Sequence, residues 1–174
     1  SFNILLEGSP GSMKSPEILQ RMERLGESLE ELPHTRKVVS LADYVKRVNR
    51  ELNGGVPEAA VLPESAEAVA QELFLFELSG AGRHELSRIT TSDYSKAQMS
   101  IKLASMSSDV VFEQINEAER RTEAVFSGSG ITTTVTGAGR MFSTLDHYLV
   151  TSQITSFGTA FLTVFAVIFL VFRS

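Results

Sequence analysis

Hydrophobic and polar residues alternate with period two in several short segments of the chain, and this alternation predicts strands of a half-buried sheet. Phe2, Ile4 and Leu6 alternate with polar residues at the N-terminus, and the clearest alternation of all covers residues 97–103. β-Branched residues favour another strand near the end of the polar part of the chain. The remaining strands are predicted at 35–41, 86–91 and 131–136, with the weakest pattern at 86–91.

Between these segments, apolar residues recur at spacings of three and four, which predicts amphipathic helices. Ser15 and Pro16 suit the start of the first helix, and Pro33 ends it. Asp43 is expected to cap the second helix. The glycines in 80–82 are expected to close the third. The four predicted helices cover about 15–32, 43–52, 65–79 and 108–126.

The order of these elements predicts an α+β domain rather than an alternating parallel α/β sheet. If the helical stretch at about 42–82 is an insertion, the rest is close to β-α-β-β-α-β, the ferredoxin-like plan. Two helices would then pack on one face of an antiparallel sheet. We therefore expect residues 1–140 to form one ferredoxin-like domain with a helical insertion.

The C-terminal segment has a different composition, because residues 149–172 include no charged side chain. As a helix, such a segment would be roughly 36 Å long, enough to cross a bilayer core of about 30 Å. We predict a transmembrane helix at about 152–172, led by helical residues from Met141 onward. Arg173 favours a cytoplasmic C-terminal end. The alternative is a buried core helix, although those seldom have such a long apolar run.

Charge and composition exclude several classes of function. The net charge is −5, with an acidic pI of about 5.3 and no basic run, which argues against a nucleic-acid partner. The absence of cysteine excludes disulfides and thiolate metal sites. The chain starts at Ser1 rather than at a methionine, and we expect it to be a fragment of a longer protein.

No pattern in the chain indicates catalysis. His34, His84 and His147 share no ligand spacing, so a surface position is expected for each and no metal site is predicted. The loop at 8–15 lacks the spacing of a phosphate-binding loop, and the turn at 137–140 lacks the third glycine of a dinucleotide fingerprint. We therefore predict that the protein is not an enzyme and binds no cofactor.

One apolar cluster outside the membrane segment exceeds what a single buried helix face needs, at residues 73–76. Core packing is the first interpretation of this cluster. The alternative is a hydrophobic groove, or contact with a bilayer or a neighbouring subunit. Phe74 and Phe76 are the candidates for residues that line a path for an apolar substrate.

Taken in order, the motifs of the whole chain resemble the first extracytoplasmic domain of resistance-nodulation-division (RND) transporters. The resemblance is strongest to the exporters grouped with the mycobacterial membrane-protein-large (MMPL) and hopanoid exporters. Each motif is short, and their order and spacing carry the resemblance. The matching pieces are 16–19 (PEIL), 38–45 (VVSLADYV), 135–137 (VTG), 152–157 (SQITSF) and 169–174 (FLVFRS).

This resemblance implies a fragment of an inner-membrane exporter of lipids or other hydrophobic molecules, with residues 1 to about 148 outside the cytoplasm. It also implies that residues 1–140 are a porter-type domain. The expected partners are the bilayer, a hydrophobic substrate, and the other membrane helices and second extracytoplasmic domain of the parent chain; self-association is left open. Proton-coupling residues would lie in a later helix. Two alternatives are a receptor-like or protein-translocation accessory domain that binds a protein, and a single-pass anchored binding domain.

Overall fold

The computed structural model describes residues 1–173, with side chains described for all of these except 108, 138–147, 170, 171 and 173. The described residues have an α+β architecture with a four-stranded antiparallel sheet and six α-helices, of which the last, at the C-terminal end, is apolar. The strands are β1 (Phe2–Glu7), β2 (Thr35–Val39), β3 (Lys96–Leu103) and β4 (Thr132–Thr136). The helices are α1 (Pro16–Glu30), α2 (Leu41–Leu52), α3 (Ala66–Leu78), α4 (Gly80–Leu86), α5 (Ser108–Phe126) and α6 (Ala138–Arg173).

The strands lie in the order β2-β3-β1-β4, and each neighbouring pair is antiparallel. In the centre of the sheet, Ile4 faces Met99 on one side and Val135 on the other. The pairing of β2 with β3 is interrupted by a register shift between Thr35 and Lys37. β2 and β4 are therefore the two edges.

The core lies between one face of this sheet and the helices α1 and α5. Alternate residues of β1 and β3 point to that face, as their sequence pattern predicts. The opposite face is polar, and Ser100, Asn3 and Thr136 lie side by side across it. The largest fully buried side chains of the sheet and α1 are Phe2, Ile4, Leu6, Met99, Ile101, Leu19, Met22, Leu25 and Leu29.

The helices between β2 and β3 form a second layer of packing beside α1. α2 begins with a capping box, in which the backbone N–H and the hydroxyl of Ser40 both donate to Asp43 at 2.8 Å. On the outer face of α2, the Lys46 ammonium donates to Glu23 of α1 at 2.6 Å. This hydrogen bond, strengthened by the Glu23 charge, raises the pKa of Lys46 above its ordinary value. α2 is thus fastened to α1.

Three local predictions are wrong. Ser40, not Asp43, is the N-cap of α2. The segment 80–82 opens α4 instead of only closing α3, because the Ser79 hydroxyl accepts a hydrogen bond from the Gly82 N–H and caps a new helix. The predicted strand at 86–91 is absent, since Leu86 ends α4 and only Thr90 forms an isolated bridge, with Ala97.

The last helix confirms the prediction that the helical pattern starts before the apolar segment. α6 is continuous from Ala138 to Arg173 and so begins three residues before Met141. The turn before it is shorter than predicted, and Gly137 supplies it with a φ of 116°. The first part of α6 lies against α5 and the ends of β4 and β1. Sheet and C-terminal helix therefore join without a linker.

Gly82 gives a test of how closely α3 and α4 approach each other. A Cβ at this position would overlap the carbonyl of Phe76, whereas a Cβ at Gly80 in the same helix would meet nothing. We expect Gly82→Ala to lower the stability of the domain by about 1–3 kcal/mol, the usual cost of overpacking. Gly80→Ala is the control and should be neutral or slightly stabilising. Thermal unfolding of the two variants checks this, and equal midpoints would contradict it.

Candidate functional site

The feature best suited to bind another molecule is a groove between α2 and α3, with a volume of about 200 Å³. Most of the surface that lines it is apolar. A concave apolar surface with few polar groups is typical of sites for small apolar ligands. The groove is lined by Arg47, Val48, Glu51, Leu52, Leu75, Phe76 and Ser79.

The groove follows from apolar stripes that continue beyond the core. On α2, the stripe of Leu41, Val45 and Val48 is buried, but its next member, Leu52, is 53% exposed. On α3, Leu73 is buried, whereas Leu75 on a different face is 42% exposed. Both helices thus carry more apolar surface than they bury against the domain. The excess surface of the two helices meets in the groove.

Arg47 forms the polar end of this groove. Its guanidinium lies 4.8 Å from the centre of the Tyr44 ring and 5.6 Å from that of Phe76. It also donates to Glu85 of α4 at 2.5 Å. The stacked pairs contribute about 0.5–1 kcal/mol each, and the exposed ion pair less. Arg47 therefore links α2 to α3 through the Phe76 ring and to α4 through Glu85, which also balances its charge.

The structure separates the two residues that sequence analysis named as candidates. Phe76 is half-buried, packs against the core and lines the groove. Phe74 is 59% exposed and is not part of the groove lining. Two residues apart on a helix, the side chains point about 200° away from each other. Phe74 instead shares the outer surface of α3 with Leu78, which is 62% exposed.

Arg47 and Leu52 were missed by sequence analysis, although the signal for Leu52 was present. Leu52 continues the helical spacing of α2, and nothing in the chain required it to be buried. Arg47 gave no signal, because its partners Phe76 and Glu85 lie far away in sequence. Ser79 also lines the groove, but its hydroxyl is already used, donating to the Phe76 carbonyl at 2.8 Å.

Behind the groove, α3 is held by Tyr94, which is only 6% exposed. The Tyr94 hydroxyl donates to Glu77 of α3 at 2.6 Å, and the Lys14 ammonium lies 5.0 Å from the ring centre. Burial, followed by the hydrogen bond to Glu77, raises the pKa of Tyr94 above its ordinary value. A φ of 53° at Tyr94 turns the backbone so that the ring can reach this position.

The turn that carries Tyr94 is organised by its neighbour Asp93. The Asp93 carboxylate accepts hydrogen bonds from the hydroxyls of Thr91 at 2.6 Å and Ser95 at 2.8 Å. These bonds, that of Thr91 first, lower the pKa of Asp93 to about 2. Asp93 therefore stays ionised and keeps the turn closed at any ordinary pH. The Gly11 N–H donates a hydrogen bond to the backbone carbonyl of Asp93 in the same turn.

α6 carries the second surface of interest. Within it, Tyr148–Phe169 is long and apolar enough to cross a membrane by length and composition, and none of it is buried. The hydroxyls of Thr155, Thr159 and Thr163 donate to carbonyls four residues earlier, at 2.8–2.9 Å. Their polar groups are therefore satisfied inside the helix, as an apolar environment requires.

Among the described residues, no group of three or more histidine, cysteine or acidic side chains is placed to hold a metal ion. His34 and His84 are exposed, whereas the side chain of His147 lies outside the described part of the chain. The groove offers mainly apolar contact. In comparisons with known proteins, no family model matches the chain, and no curated protein matches it significantly.

The Tyr94–Glu77 hydrogen bond can be tested by removing the hydroxyl alone. We expect Tyr94→Phe to lower the free energy of unfolding by about 1.5–3 kcal/mol, because the Glu77 carboxylate then loses a charge-assisted partner. Tyr148→Phe, on the exposed part of α6, is the control and should change nothing. A double-mutant cycle with Glu77→Gln measures the coupling by chemical denaturation. A coupling of zero would refute the role given to this bond.

Glu72 of α3 gives a pH-dependent prediction, because its Oε2 atom is buried without a hydrogen-bond partner. Burial raises the pKa of Glu72. Its ionised form therefore opposes folding above the folded-state pKa, and the penalty disappears below the ordinary value of 4.5. We expect Glu72→Gln to raise the thermal midpoint at pH 7 by about 2 °C.

The rise in thermal midpoint caused by Glu72→Gln should disappear as the pH falls below about 4, because the glutamic acid is then as neutral as the glutamine. Glu113→Gln, at an exposed position of α5, is the matched control and should show no such gain. Thermal unfolding at a series of pH values makes the measurement. A gain of equal size at pH 3 and pH 7 would show that burial of the charge is not its cause.

Proposed function

We propose that this chain is a membrane-anchored domain of an RND-type exporter and that its α2–α3 groove forms part of the path of a lipid or other hydrophobic molecule. The observation that carries the proposal is the apolar groove on a domain whose last strand leads directly into a helix of membrane-spanning length. Residues 1 to about 148 would lie outside the cytoplasm, at the inner membrane.

We propose further that the domain has a ferredoxin-like plan with the helices α2 to α4 inserted. Read from the β4 edge, the sheet order is β4-β1-β3-β2, and all neighbouring strands are antiparallel. α1 connects β1 with β2, and α5 connects β3 with β4. These connections support the plan, and the insertion is what supplies both walls of the groove.

Binding in such a groove needs no catalytic group. Each CH₂ group moved from water into apolar contact contributes about 0.8 kcal/mol, so an acyl chain can bind by burial alone. Arg47 and Glu51 at the rim keep the ends of the groove wet, while Leu52, Leu75 and Phe76 provide its apolar surface. A groove open to solvent suits a molecule in transit better than one held permanently.

The proposal can be tested by photo-crosslinking of a diazirine fatty acid to the chain in lipid nanodiscs, with the labelled peptides mapped by mass spectrometry. We expect labelling on α2 and α3 at the groove. Leu52→Ala combined with Leu75→Ala should reduce that labelling at least about threefold, because two exposed apolar contacts are lost. Both residues are exposed, so the fold should survive.

The matched control is Phe74→Ala combined with Leu78→Ala, which removes two exposed apolar side chains of α3 outside the groove. Labelling at the groove should be unchanged in this control. Equal loss in both pairs, or no labelling of α2 and α3 in the unaltered chain, would refute the groove as a binding site. The exporter class itself requires that the parent gene encode two similar halves rich in membrane helices.

A further inference from the structure

The two edge strands of the sheet differ in how they are protected. β2 carries Arg36 and Lys37 and has a register shift, and these features usually block the addition of another strand. β4 has the sequence TTTVT, without charge or proline, and pairs with β1 in an unbroken register over Thr132–Thr136. β4 is thus the open edge, and among the described residues only those of β1 pair with it.

A cleft of about 310 Å³ runs along this open edge. β4 forms one side of it with Thr133, Thr134 and Val135, and α5 forms the other. An added strand would lie about 4.8 Å from β4, with alternate side chains pointing toward α5. The cleft is therefore placed to receive both the backbone and half the side chains of an extended segment.

The α5 side of the cleft is acidic. It presents Glu119, Thr122 and Glu123, and Thr122 uses its hydroxyl within α5, donating to the Ala118 carbonyl at 2.6 Å. Glu123 is exposed, and its carboxylate makes no hydrogen bond or ion pair with the described side chains. A second copy of the chain would bring the same carboxylates against each other, so charge disfavours self-pairing at this edge.

We infer that the β4 edge is a strand-addition site for an extended segment of a protein partner that carries lysine or arginine at alternate positions. Its backbone would pair with β4, and its basic side chains would meet Glu123 across the cleft. The site lies on the strand opposite β2 and shares no residue with the α2–α3 groove, so the inference does not depend on the exporter proposal.

The test uses the full chain in detergent and a fluorescent seven-residue peptide of alternating lysine and valine, with binding followed by anisotropy. Two control peptides separate the contribution of backbone hydrogen bonds from that of charge. One is N-methylated at alternate residues, and the other has glutamate in place of lysine. We expect the N-methylated peptide to bind at least about tenfold more weakly, because it cannot complete the ladder. The glutamate peptide should also bind more weakly than the lysine peptide, because its charges repel the carboxylate of Glu123.

Two sets of variants test the protein side. Successive N–H groups of a strand point to opposite edges of that strand. Of the two variants Thr133→Pro and Thr134→Pro, one therefore removes an N–H from the open edge and breaks no hydrogen bond to β1. The variant that keeps the unaltered thermal midpoint should bind the lysine peptide at least about tenfold more weakly. Glu123→Lys should weaken binding about three- to fivefold, as expected for an exposed ion pair, and improve binding of the glutamate peptide.

Three results would overturn the inference. Equal binding of the N-methylated peptide would show that the backbone ladder is not used. No binding of the lysine peptide at millimolar concentration would remove the site altogether. A dimer of the chain in analytical ultracentrifugation that the folded proline variant abolishes would show that the edge pairs with a second copy instead. If groove labelling fails while the peptide binds, only the exporter proposal is lost.

Discussion

β1 lies between β3 and β4, and its three inward side chains are in contact with the helices that cover the sheet. Phe2, Ile4 and Leu6 are almost completely buried, at about 1.5–3 kcal/mol each. Strand register and helix placement both depend on this face, because a slip of one residue would turn all three side chains to the polar side. The rest of the domain packs around this apolar face of β1.

The α2–α3 groove depends on this face of β1 indirectly, through contacts that hold its two helices in place. α1 packs on the sheet, the Lys46–Glu23 pair fastens α2 to α1, and Tyr94 holds α3 beside the turn before β3. The Lys46–Glu23 and Tyr94–Glu77 contacts are polar and at least partly buried, whereas the groove between the two helices is apolar and open. Fixed walls with an unfilled space between them are what a surface for transient apolar contact requires.

The sequence predicted the elements that depend on local periodicity and not the features that depend on distant partners. Strands such as β3 and helices such as α1 follow from spacing alone, and α6 follows from a run without charge. The segment 86–91 was mistaken for a strand, although its apolar residues Leu86 and Ile89 are three apart and do not alternate. The helix that Ser79 caps extends as far as Leu86.

The candidate site shows the same limit. Phe76 was recognisable as an excess apolar residue, but its separation from Phe74 required the helix to be oriented against α2. Arg47 was not recognisable at all, because its contacts with Tyr44, Phe76 and Glu85 join three helices. The acidic cleft at β4 likewise depends on which strand is the edge, and that is a property of the sheet as a whole.

Gly137 is the single residue through which the C-terminal helix and the sheet are joined. Its φ of 116° and the closeness of the Phe2 backbone, 3.2 Å from where a Cβ would lie, disfavour any residue with a side chain here. Since α6 continues unbroken for 36 residues from Ala138, which is about 54 Å as a straight helix, no linker separates its apolar segment from this joint. A tilt of the apolar segment would therefore act directly on β1 and β4, the central strand of the core and the open edge of the sheet.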